Sequence, residues 1–413
     1  MRIWAFPSFY PYDYPGMRWA GTFAHRQYKG LINNGAELKV VVPVSWNPPF
    51  PFSELNKEWK KSREINYPYK RDYDGITVYH PRIANMKPNR FVKKSYLERY
   101  VDAIVGFFEK ENIKLDPEND VLYAQWLISA AFVRVAAQRL GVKCAVLGIG
   151  DDVLKWAPYT EANMRDFKTL MDTADLVLTN ADYLGRELCR LAGRKIPYKV
   201  NYFGIDYDKF KPVTEQERQR LRADYKIPAD KTVILIVGSP IVRKGWLDLL
   251  DALVEIKKTN ADFMLLGGYA GEKNLDILKE VTDRGLESQF YNQGEIAPDM
   301  LNIFYNMSDI FCLPSHWEGL ATVVSEAMSS GLPVITTNVC GHPEIIKSGE
   351  NGILIDPKDV KTLTTELLSL LNDPQRRTQL GDAARKFIVN VWGNDDENSK
   401  KLLDILTNLV KGA

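Results

Sequence analysis

The chain has 413 residues, of which 45% are hydrophobic and 26% charged, with a formal net charge of +1. This length exceeds one ordinary core, and the composition excludes a disordered or fibrous protein. The cysteines have neither metal-ligand nor redox spacing, so we expect reduced thiols; they are Cys144, Cys189, Cys312 and Cys340. The first apolar run is shorter than a signal peptide and no run approaches a membrane span, so a cytoplasmic location is expected.

Positive charge is concentrated in the first half of the chain. Residues 1–210 carry 31 Lys and Arg against 24 Asp and Glu, so the remainder is net negative. Much of the excess lies between Lys57 and Arg99, interleaved with aromatic residues. Two interpretations stay open: a solvated surface, or peripheral contact with an anionic membrane or lipid-diphosphate acceptor. No nucleic-acid-binding motif accompanies the charge, which argues against nucleic acid as a partner.

Short β-branched runs alternate with helical stretches through the first half, as in a parallel α/β sheet. The predicted strands are Arg2–Phe6, Leu38–Pro43, Ile76–His80, Val121–Gln125, Cys144–Ile149, Leu176–Thr179 and Lys199–Tyr202. The helices predicted between them include Thr22–Asn33, Tyr96–Glu111 and Ile128–Leu140.

The second half repeats this alternation. Its predicted strands are Val233–Val237, Phe263–Leu266, Phe290–Asn292, Ile310–Leu313, Pro333–Thr337 and Gly352–Ile355. Its predicted helices are Trp246–Lys258, Asn274–Asp283, Asp299–Asn306, Val323–Ser330 and Lys361–Asn372, with a final helix at Asn398–Lys411.

We therefore predict an α/β protein with two Rossmann-like doubly wound domains that face each other across a cleft. The first covers residues 1–210 and the second 231–390, joined by the polar connection 211–230 and followed by a C-terminal segment, 391–413. Ligands of such sheets bind beyond the carboxyl ends of the strands, so we expect the site there.

The strongest motif follows the predicted strand Ile310–Leu313. A strand tip that turns into a helix offers free backbone amides and a positive dipole end to an anion, and Gly319 allows close approach of a ligand. On one helix, Glu318 and Glu326 would lie about 12 Å apart, which is too far to chelate one metal ion. The spacing suits two carboxylates that hold opposite ends of an elongated ligand, such as a sugar and a ribose joined by a diphosphate. Each carboxylate alone could also be an ordinary helix residue.

A second motif follows the predicted strand Val233–Val237. Gly238 and Ser239 open a loop that carries the adjacent cations Arg243 and Lys244 before the next helix. A diphosphate leaving group develops negative charge as its glycosidic bond breaks, and such cations stabilise it. The loop lacks the spacing of a Walker A motif. A solvated surface loop is the other interpretation of such a pair.

Together these segments resemble glycosyltransferase family 4, whose members have the GT-B double-Rossmann fold. Glu318 and Glu326 match the family's Glu-x7-Glu motif, and Lys244 matches its diphosphate-binding lysine. The resemblance implies that Glu318 holds the donor sugar and Glu326 the ribose. It also implies that four backbone amides face the donor, namely Gly319, Leu320, Ala321 and Thr322. Ser239 replaces the family's usual arginine, and Arg243 is the substitute source of charge.

Other landmarks follow from the same resemblance. The family's base-contacting loop corresponds to Gly294, Glu295 and Ile296, and its last helix crosses back onto the first domain. The loop flanked by Gly16 and Gly21 resembles the family's glycine loop, which approaches the donor phosphates and the acceptor. Asp151 is assigned to the acceptor side. Many family members have a histidine at the position before Gly150, where this chain has Ile149. His316 and His342 are expected in loops near the donor site.

The resemblance implies a metal-independent, retaining glycosyltransferase. It would move a hexose-type sugar from a UDP- or GDP-sugar to a hydroxyl of a glycan, glycolipid or lipid-linked acceptor, with no cofactor required. Two alternatives stay open. One is a nucleotide-sugar 2-epimerase, against which the Glu-x7-Glu spacing argues. The other is a catalytically weak nucleotide-sugar-binding partner protein, which the residues Ile149 and Ser239 favour.

Overall fold

A computed structural model of the chain describes residues 1–12, 21–46, 65, 67–84, 94–269 and 274–412. Contacts divide it into two compact units. The first combines Met1–Tyr202 with Asp396–Ala413, and the second is Phe203–Asp395. In the ranges given above, every helix is too short or too polar to cross a bilayer.

The first unit is built on an eight-stranded sheet. Its elements are β1 (Arg2–Pro7), β2 (Glu37–Val41), β4 (Lys70–Tyr73), β5 (Ile76–Tyr79), β7 (Asp120–Gln125), β8 (Lys143–Gly148), β9 (Leu176–Thr179) and β10 (Lys199–Val200), with a separate pair β3 (Val44–Trp46) and β6 (Arg82–Ala84). The sheet order is β10-β9-β8-β7-β1-β2-β5-β4, and all neighbours are parallel except β4 and β5. Successive crossovers leave β1 in opposite directions, which makes the β1–β7 boundary the topological switch point.

Helices pack against this sheet over a large apolar core. They are Thr22–Asn33, Tyr96–Lys110, Leu127–Leu140, Ala157–Tyr159, Glu161–Thr173 and Asp182–Ala192, with a π-helical turn at Asp152–Trp156. Trp4 of β1 makes edge-to-face contacts with Phe107 and Phe108, at centroid distances of 6.0 and 5.0 Å. The last helix, Asp395–Lys411, also belongs here, because the Ser399 hydroxyl donates to the Gln27 carbonyl at 3.2 Å.

The second unit is built on a six-stranded parallel sheet. Its strands are β11 (Thr232–Val237), β12 (Phe263–Tyr269), β13 (Phe290–Glu295), β14 (Ile310–Leu313), β15 (Val334–Thr337) and β16 (Ile353–Ile355), in the order β13-β12-β11-β14-β15-β16. Its α-helices are Glu215–Asp224, Trp246–Lys257, Ile277–Asp283, Leu301–Met307, Thr322–Ser329, His342–Ile345, Val360–Asn372 and Pro374–Phe387. Strand β11 lies at the centre, and its side chains from Val233 to Ile236 are fully buried.

The compact units have different bounds from the predicted segments. The segment 203–230 groups with the second unit, although 203–210 was predicted in the first domain and 211–230 as the interdomain connection, and residues 391–395 group with the second unit as well. It contains the helix Glu215–Asp224, whose Arg222 is buried and bonds to Asp309 at 2.6 Å. The charges that make this segment look like a linker are therefore partly buried ion-pair partners.

Close packing of the second unit depends on a helical glycine. Gly381, in the helix Pro374–Phe387, lies so near the Gly331 carbonyl that a Cβ atom would collide with it. We expect Gly381→Ala to lower the free energy of unfolding by about 1–3 kcal/mol, because backbone must shift to admit the methyl group. Gly106, in the helix Tyr96–Lys110, has open space around its Cβ position.

Gly106→Ala is the matched control, and helix propensity predicts a gain of about 0.5–1 kcal/mol. Thermal and denaturant unfolding of the two variants would measure both effects. Equal changes in both variants would contradict the packing argument.

Candidate functional site

Two loops leave neighbouring strands at the centre of the second sheet. Strands β11 and β14 are parallel and paired, Ile234 opposite Ile310, so their carboxyl ends lie at the same edge. The chain passes from β11 to β12 on one side and reaches β14 on the other, so this edge is a topological switch point. Open α/β sheets bind ligands at such a point.

A close backbone contact joins these two loops. Gly245 has φ of 72°, and a Cβ atom there would collide with the carbonyl of Pro314. The amide of His316 donates to the carbonyl of Arg243 at 2.7 Å. Only glycine satisfies both the positive φ and the contact at position 245. The loop after β11 is thereby held against the loop after β14.

The contact brings the two predicted cations to the predicted carboxylate. Lys244 Nζ bonds to Glu318 Oε1, and Arg243 Nη1 bonds to the same oxygen at 3.1 Å. The Ser315 hydroxyl also donates to it, at 3.3 Å. The guanidinium of Arg243 lies over the ring of Trp317, 4.5 Å from its centroid, which fixes its plane.

The charges of this cluster are largely removed from water. The side chains of Lys244 and Glu318 are only 14% and 10% exposed. Burial alone raises the pKa of Glu318, but Lys244 and Arg243 outweigh it and hold that pKa below its ordinary value. Glu318 is therefore an ionised, buried carboxylate between two cations, not the ordinary helix residue that was the other interpretation.

The two carboxylates of the motif do not share one helix. The helix runs from Thr322 to Ser329, so Glu318 lies in the preceding loop and the 12 Å helical estimate does not apply. Glu326 lies inside the helix, is 5% exposed, and accepts a hydrogen bond from Tyr305 at 3.0 Å. Its burial excludes a solvated helix position. The contribution of Tyr305 was not predicted, because it comes from a separate helix.

Two helices begin at this site without a side-chain cap. The helix Thr322–Ser329 starts after Ala321, and Trp246–Lys257 starts after Gly245; neither residue bonds to the helix amides through a side chain. The first amides of a helix have no intrahelical acceptor, and the dipole there is positive. Both features favour an anion at this edge.

The remaining residues assigned to the donor also lie at this edge. The carbonyls of Gly238 and Ser239 each accept a bond from the indole of Trp246 at 3.2 Å. Gly294, with φ of 74°, and Glu295 end β13, where the pairing shifts register. They are strand residues, because β13 is longer than predicted. The Ile296 side chain is buried against Gly268 and therefore serves packing.

The first unit contains the residues assigned to the acceptor side. Gly16 lies outside the described residues. Gly21 has φ of 76° and packs against the Phe9 carbonyl, where a Cβ atom would collide, immediately before the helix Thr22–Asn33. Asp151 is half-buried and lies 3.6 Å from Lys155. The acceptor-side role of Gly21 and Asp151 stays a prediction.

Two residues near the switch point of the first sheet were missed. Asp152 is fully buried and accepts bonds from the amides of Leu127 and Gly150 at 2.9 and 2.7 Å, so it fixes the start of a helix. Trp126, at the end of β7, has φ of 75° and a T-shaped contact with the exposed ring of Phe9 at 5.5 Å. A positive φ in tryptophan is rare, and the sequence carries no signal for it.

The two histidines expected near the donor site have protein partners. His316 Nε2 lies 2.6 Å from Asp248 Oδ2. His342 starts a short helix rather than lying in a loop, and its Nδ1 donates to the Thr337 carbonyl at 3.1 Å. Burial lowers the pKa of His342, so its ring is neutral near pH 7. Among the described residues, no cluster of three or more His, Cys, Asp or Glu side chains is arranged to hold a metal ion.

Sequence comparison finds a family match within the second unit. Residues 217–387 match the family model described as "Glycosyl transferases group 1". This range includes Arg243, Lys244, Glu318 and Glu326. The match supports the assignment of this chain as a glycosyltransferase. It does not distinguish family 4 from other families of the group.

The relatives of this chain include glycosyltransferases of several kinds. The chain is 34% identical over 218 residues to sulfoquinovosyl transferase SQD2 of Arabidopsis thaliana, covering 52% of this chain and 41% of that protein. It is 29% identical over 263 residues to a GDP-mannose-dependent phosphatidylinositol monomannoside mannosyltransferase of Mycolicibacterium smegmatis, covering 62% and 68%. A putative teichuronic acid biosynthesis glycosyltransferase, TuaC of Bacillus subtilis, is 24% identical, covering 88% and 87%. The aligned region thus spans less than half of the plant protein and about two thirds of the mycobacterial one.

Solved structures share the fold over the whole chain. Sucrose-phosphate synthase from Thermosynechococcus elongatus superimposes with a TM-score of 0.77 at 18% identity, covering 100% of both chains. Anabaena HepE in complex with UDP-glucose gives 0.73 at 19% identity, covering 99% of this chain and 100% of that one. The fold is therefore GT-B, with two Rossmann-like domains.

The buried cluster makes a stability prediction. The pKa of Glu318 is lower in the folded protein than its ordinary value of 4.5. Ionisation of Glu318 therefore stabilises the folded state at pH values above 4.5. That contribution is lost as pH falls through the folded-state pKa. Lys244→Met should destabilise the protein by up to about 3 kcal/mol at pH 7, since it removes one partner of a buried carboxylate. The difference from wild type should narrow as pH falls below 4.5, because the wild type then loses the stabilisation that ionised Glu318 provides.

Lys258→Met is the control, because Lys258 pairs with Glu255 on an exposed helix surface. Its effect should be small at every pH. Denaturant unfolding between pH 3.5 and 8 measures both variants. A pH-independent cost of Lys244→Met would contradict the proposed electrostatics.

Proposed function

We propose that the protein is a glycosyltransferase whose second unit binds a nucleotide-diphosphate sugar. The observation that carries the proposal is the buried cluster of Lys244, Arg243 and Glu318 at the switch-point edge. Cations, a carboxylate and uncapped helix amides together suit a ligand with both a diphosphate and hydroxyl groups. The family match over residues 217–387 supports the same chemistry.

Each part of the donor has a complementary group. The diphosphate would take Lys244, Arg243 and the amides from Gly319 to Thr322. Glu318 would then accept hydrogen bonds from sugar hydroxyls, and Glu326 would accept them from the ribose. Lys244 and Arg243 bind Glu318 in the structure, so donor binding would exchange one anionic partner for another. Arg243 would supply the charge that Ser239 lacks.

We propose transfer with retention of the anomeric configuration. The bond between the anomeric carbon and the donor phosphate oxygen breaks, and a bond to the acceptor oxygen forms on the same face. The acceptor proton passes to an oxygen of the departing diphosphate. Lys244 and Arg243 stabilise the charge that develops on that group, so no metal ion is required. Exclusion of water would suppress hydrolysis of the donor.

The acceptor is proposed to be a hydroxyl of a glycan, glycolipid or lipid-linked intermediate. The names of the mannosyltransferase and of TuaC support a role in cell-surface polysaccharide or glycoconjugate synthesis. The proposed donor nucleotide is UDP or GDP, because HepE was solved in complex with UDP-glucose and the mycobacterial relative is GDP-mannose-dependent. The basic first half of the chain supports peripheral contact with an anionic cytoplasmic membrane surface.

Binding is tested first with a panel of UDP- and GDP-sugars in thermal-shift and calorimetric titrations. We expect one donor to stabilise the wild type and Glu326→Gln to weaken its affinity about tenfold, because an amide replaces a charged acceptor of the ribose hydroxyls. Glu350→Gln, at an exposed position, is the control and should bind normally. Failure of every nucleotide sugar to bind would refute the proposal.

Catalysis is tested with the donor identified in this way and a panel of acceptors. Lys244→Ala should lower kcat about 100-fold or more, because it removes stabilisation of the leaving group. Lys258→Ala should have nearly the kcat of the wild type. EDTA should leave wild-type activity unchanged. Proton NMR of the product should show the donor's anomeric configuration.

Each alternative has its own outcome in these assays. Inversion, or activity that EDTA abolishes and added metal restores, would refute the mechanism. Donor isomerisation without an acceptor would indicate an epimerase. Binding without turnover on any acceptor would indicate a partner protein.

A further inference from the structure

A polar cavity lies at the opposite edge of the second sheet. Its volume is about 460 Å³, and its lining includes Arg218, Arg222, Asp309 and Arg377. Thr232 and Asp309, which also line it, stand at the amino ends of β11 and β14. Six residues of β11, about 20 Å of strand, separate this edge from the loop that carries Lys244.

Three arginines and Asp309 line this cavity, and two of the arginines bind this aspartate. Arg218 bonds to Asp309 Oδ1 at 2.5 Å, and Arg222 bonds to Oδ2 at 2.6 Å. The amide of Val233 donates to the same Oδ2 at 2.7 Å. Both oxygens of Asp309 are therefore engaged. Together, the three arginines and Asp309 carry a net charge of +2.

The arginines differ in how many of their donors are used. Arg222 is saturated, because its three nitrogens bond to Met307, Lys231 and Asp309. Within the described part of the chain, Arg218 donates only through Nη2 and Arg377 only through Nη1. Arg218 and Arg377 thus retain guanidinium donors that the protein does not use.

Arg377 is the least compensated of the three. In the described ranges it has no carboxylate within ion-pair distance, and its Nη1 donates to the carbonyls of Leu370 and Leu371. Burial lowers the pKa of Arg377 and the positive charge of Arg218 lowers it further, while Asp309 and Asp373 oppose this. Two guanidiniums that repel each other across a cavity are drawn together by an anion between them.

The other charged residues of the lining, Lys231, Asp230 and Glu215, add a net charge of −1, so the lining as a whole remains positive at +1. Lys231 pairs with Asp262 at 2.5 Å and lies 3.9 Å from Asp230. Glu215 is exposed at the start of its helix, where it accepts a bond from Gln219 at 3.1 Å. The positive charge is therefore concentrated where Arg218 and Arg377 meet the cavity.

We propose that this cavity binds a phosphate group, free or carried by a small phosphomonoester, between Arg218 and Arg377. Two guanidinium forks match the oxygens of a tetrahedral dianion, and the cavity has room for a small organic substituent. The ligand joins the helix Glu215–Asp224 to the helix Pro374–Phe387 and so stabilises the second unit. The site is separate from the proposed donor site and does not depend on it.

The test is calorimetric titration of the full chain with inorganic phosphate and with glycerol 2-phosphate, at ionic strength held constant with chloride. Arg377→Gln should weaken binding about tenfold or more, because a charge-assisted fork is lost. Arg376→Gln is the matched control. Arg376 is the preceding residue of the same helix, but it bonds to Glu366 and Ser369 outside the cavity lining. The Arg376→Gln variant should bind both phosphate probes with wild-type affinity.

Further variants separate the sites and the ligand sources. Lys244→Ala should bind phosphate normally, which distinguishes this cavity from the donor site. Arg377→Lys keeps a positive charge but loses the guanidinium fork, so its affinity for phosphate should be below that of the wild type and above that of Arg377→Gln. It replaces Arg377→Gln as the test if that variant does not fold. If glycerol 2-phosphate binds more tightly than inorganic phosphate, the ligand is a phosphomonoester. If inorganic phosphate binds more tightly, the ligand is free phosphate. No binding of either probe, equal binding by wild type and Arg377→Gln, or loss only in Lys244→Ala would overturn the proposal.

Discussion

The approach of Gly245 to the carbonyl of Pro314 is the contact on which the candidate site depends. Any side chain at position 245 would meet backbone, and backbone of a buried strand-end loop cannot move aside cheaply. With glycine there, the loop after β11 and the loop after β14 share one surface. Lys244 and Arg243 can then reach Glu318, and the uncapped start of the next helix lies immediately after Gly245. A single missing Cβ therefore determines the geometry of all the charges at this edge.

Those charges are held in a state that favours exchange. Glu318 is ionised although burial opposes it, because two cations and the Ser315 hydroxyl surround one of its oxygens. Removing either cation without replacement would leave a buried charge unpaired, which is unfavourable. A diphosphate sugar brings its own anion for the cations and its own hydroxyls for the carboxylate. If the proposed donor binds here, it would supply a partner both for the cations and for the carboxylate that it separates.

Much of the fold could be predicted from the sequence, because the apolar runs that form central strands are local signals. The predicted strands Ile310–Leu313 and Leu176–Thr179 agree with the structure at both ends, as does the helix Thr22–Asn33. The polar composition of 211–230 predicts an interdomain connection, whereas the structure has the helix Glu215–Asp224 there, because Arg218 and Arg222 pair with Asp309, which is distant in sequence. In the same way, the Lys244–Glu318 bond joins residues 74 apart, and no local pattern predicts it. The positive φ of Trp126 is equally a product of tertiary contacts.

The two edges of the second sheet carry similar charge clusters that have different roles. Asp309 and Glu318 are each flanked by two cations. Asp309, however, also accepts from the amide of Val233 in β11, so its ion pairs fasten the start of the central strand. Every hydrogen bond of Glu318 within the described residues is made with a side chain, on a loop that precedes its helix. Its partners can therefore rotate away without breaking the sheet. Asp309, which is bonded to the backbone, stabilises the fold. Within the described residues Glu318 is bonded only to side chains, so its cations can bind a ligand instead.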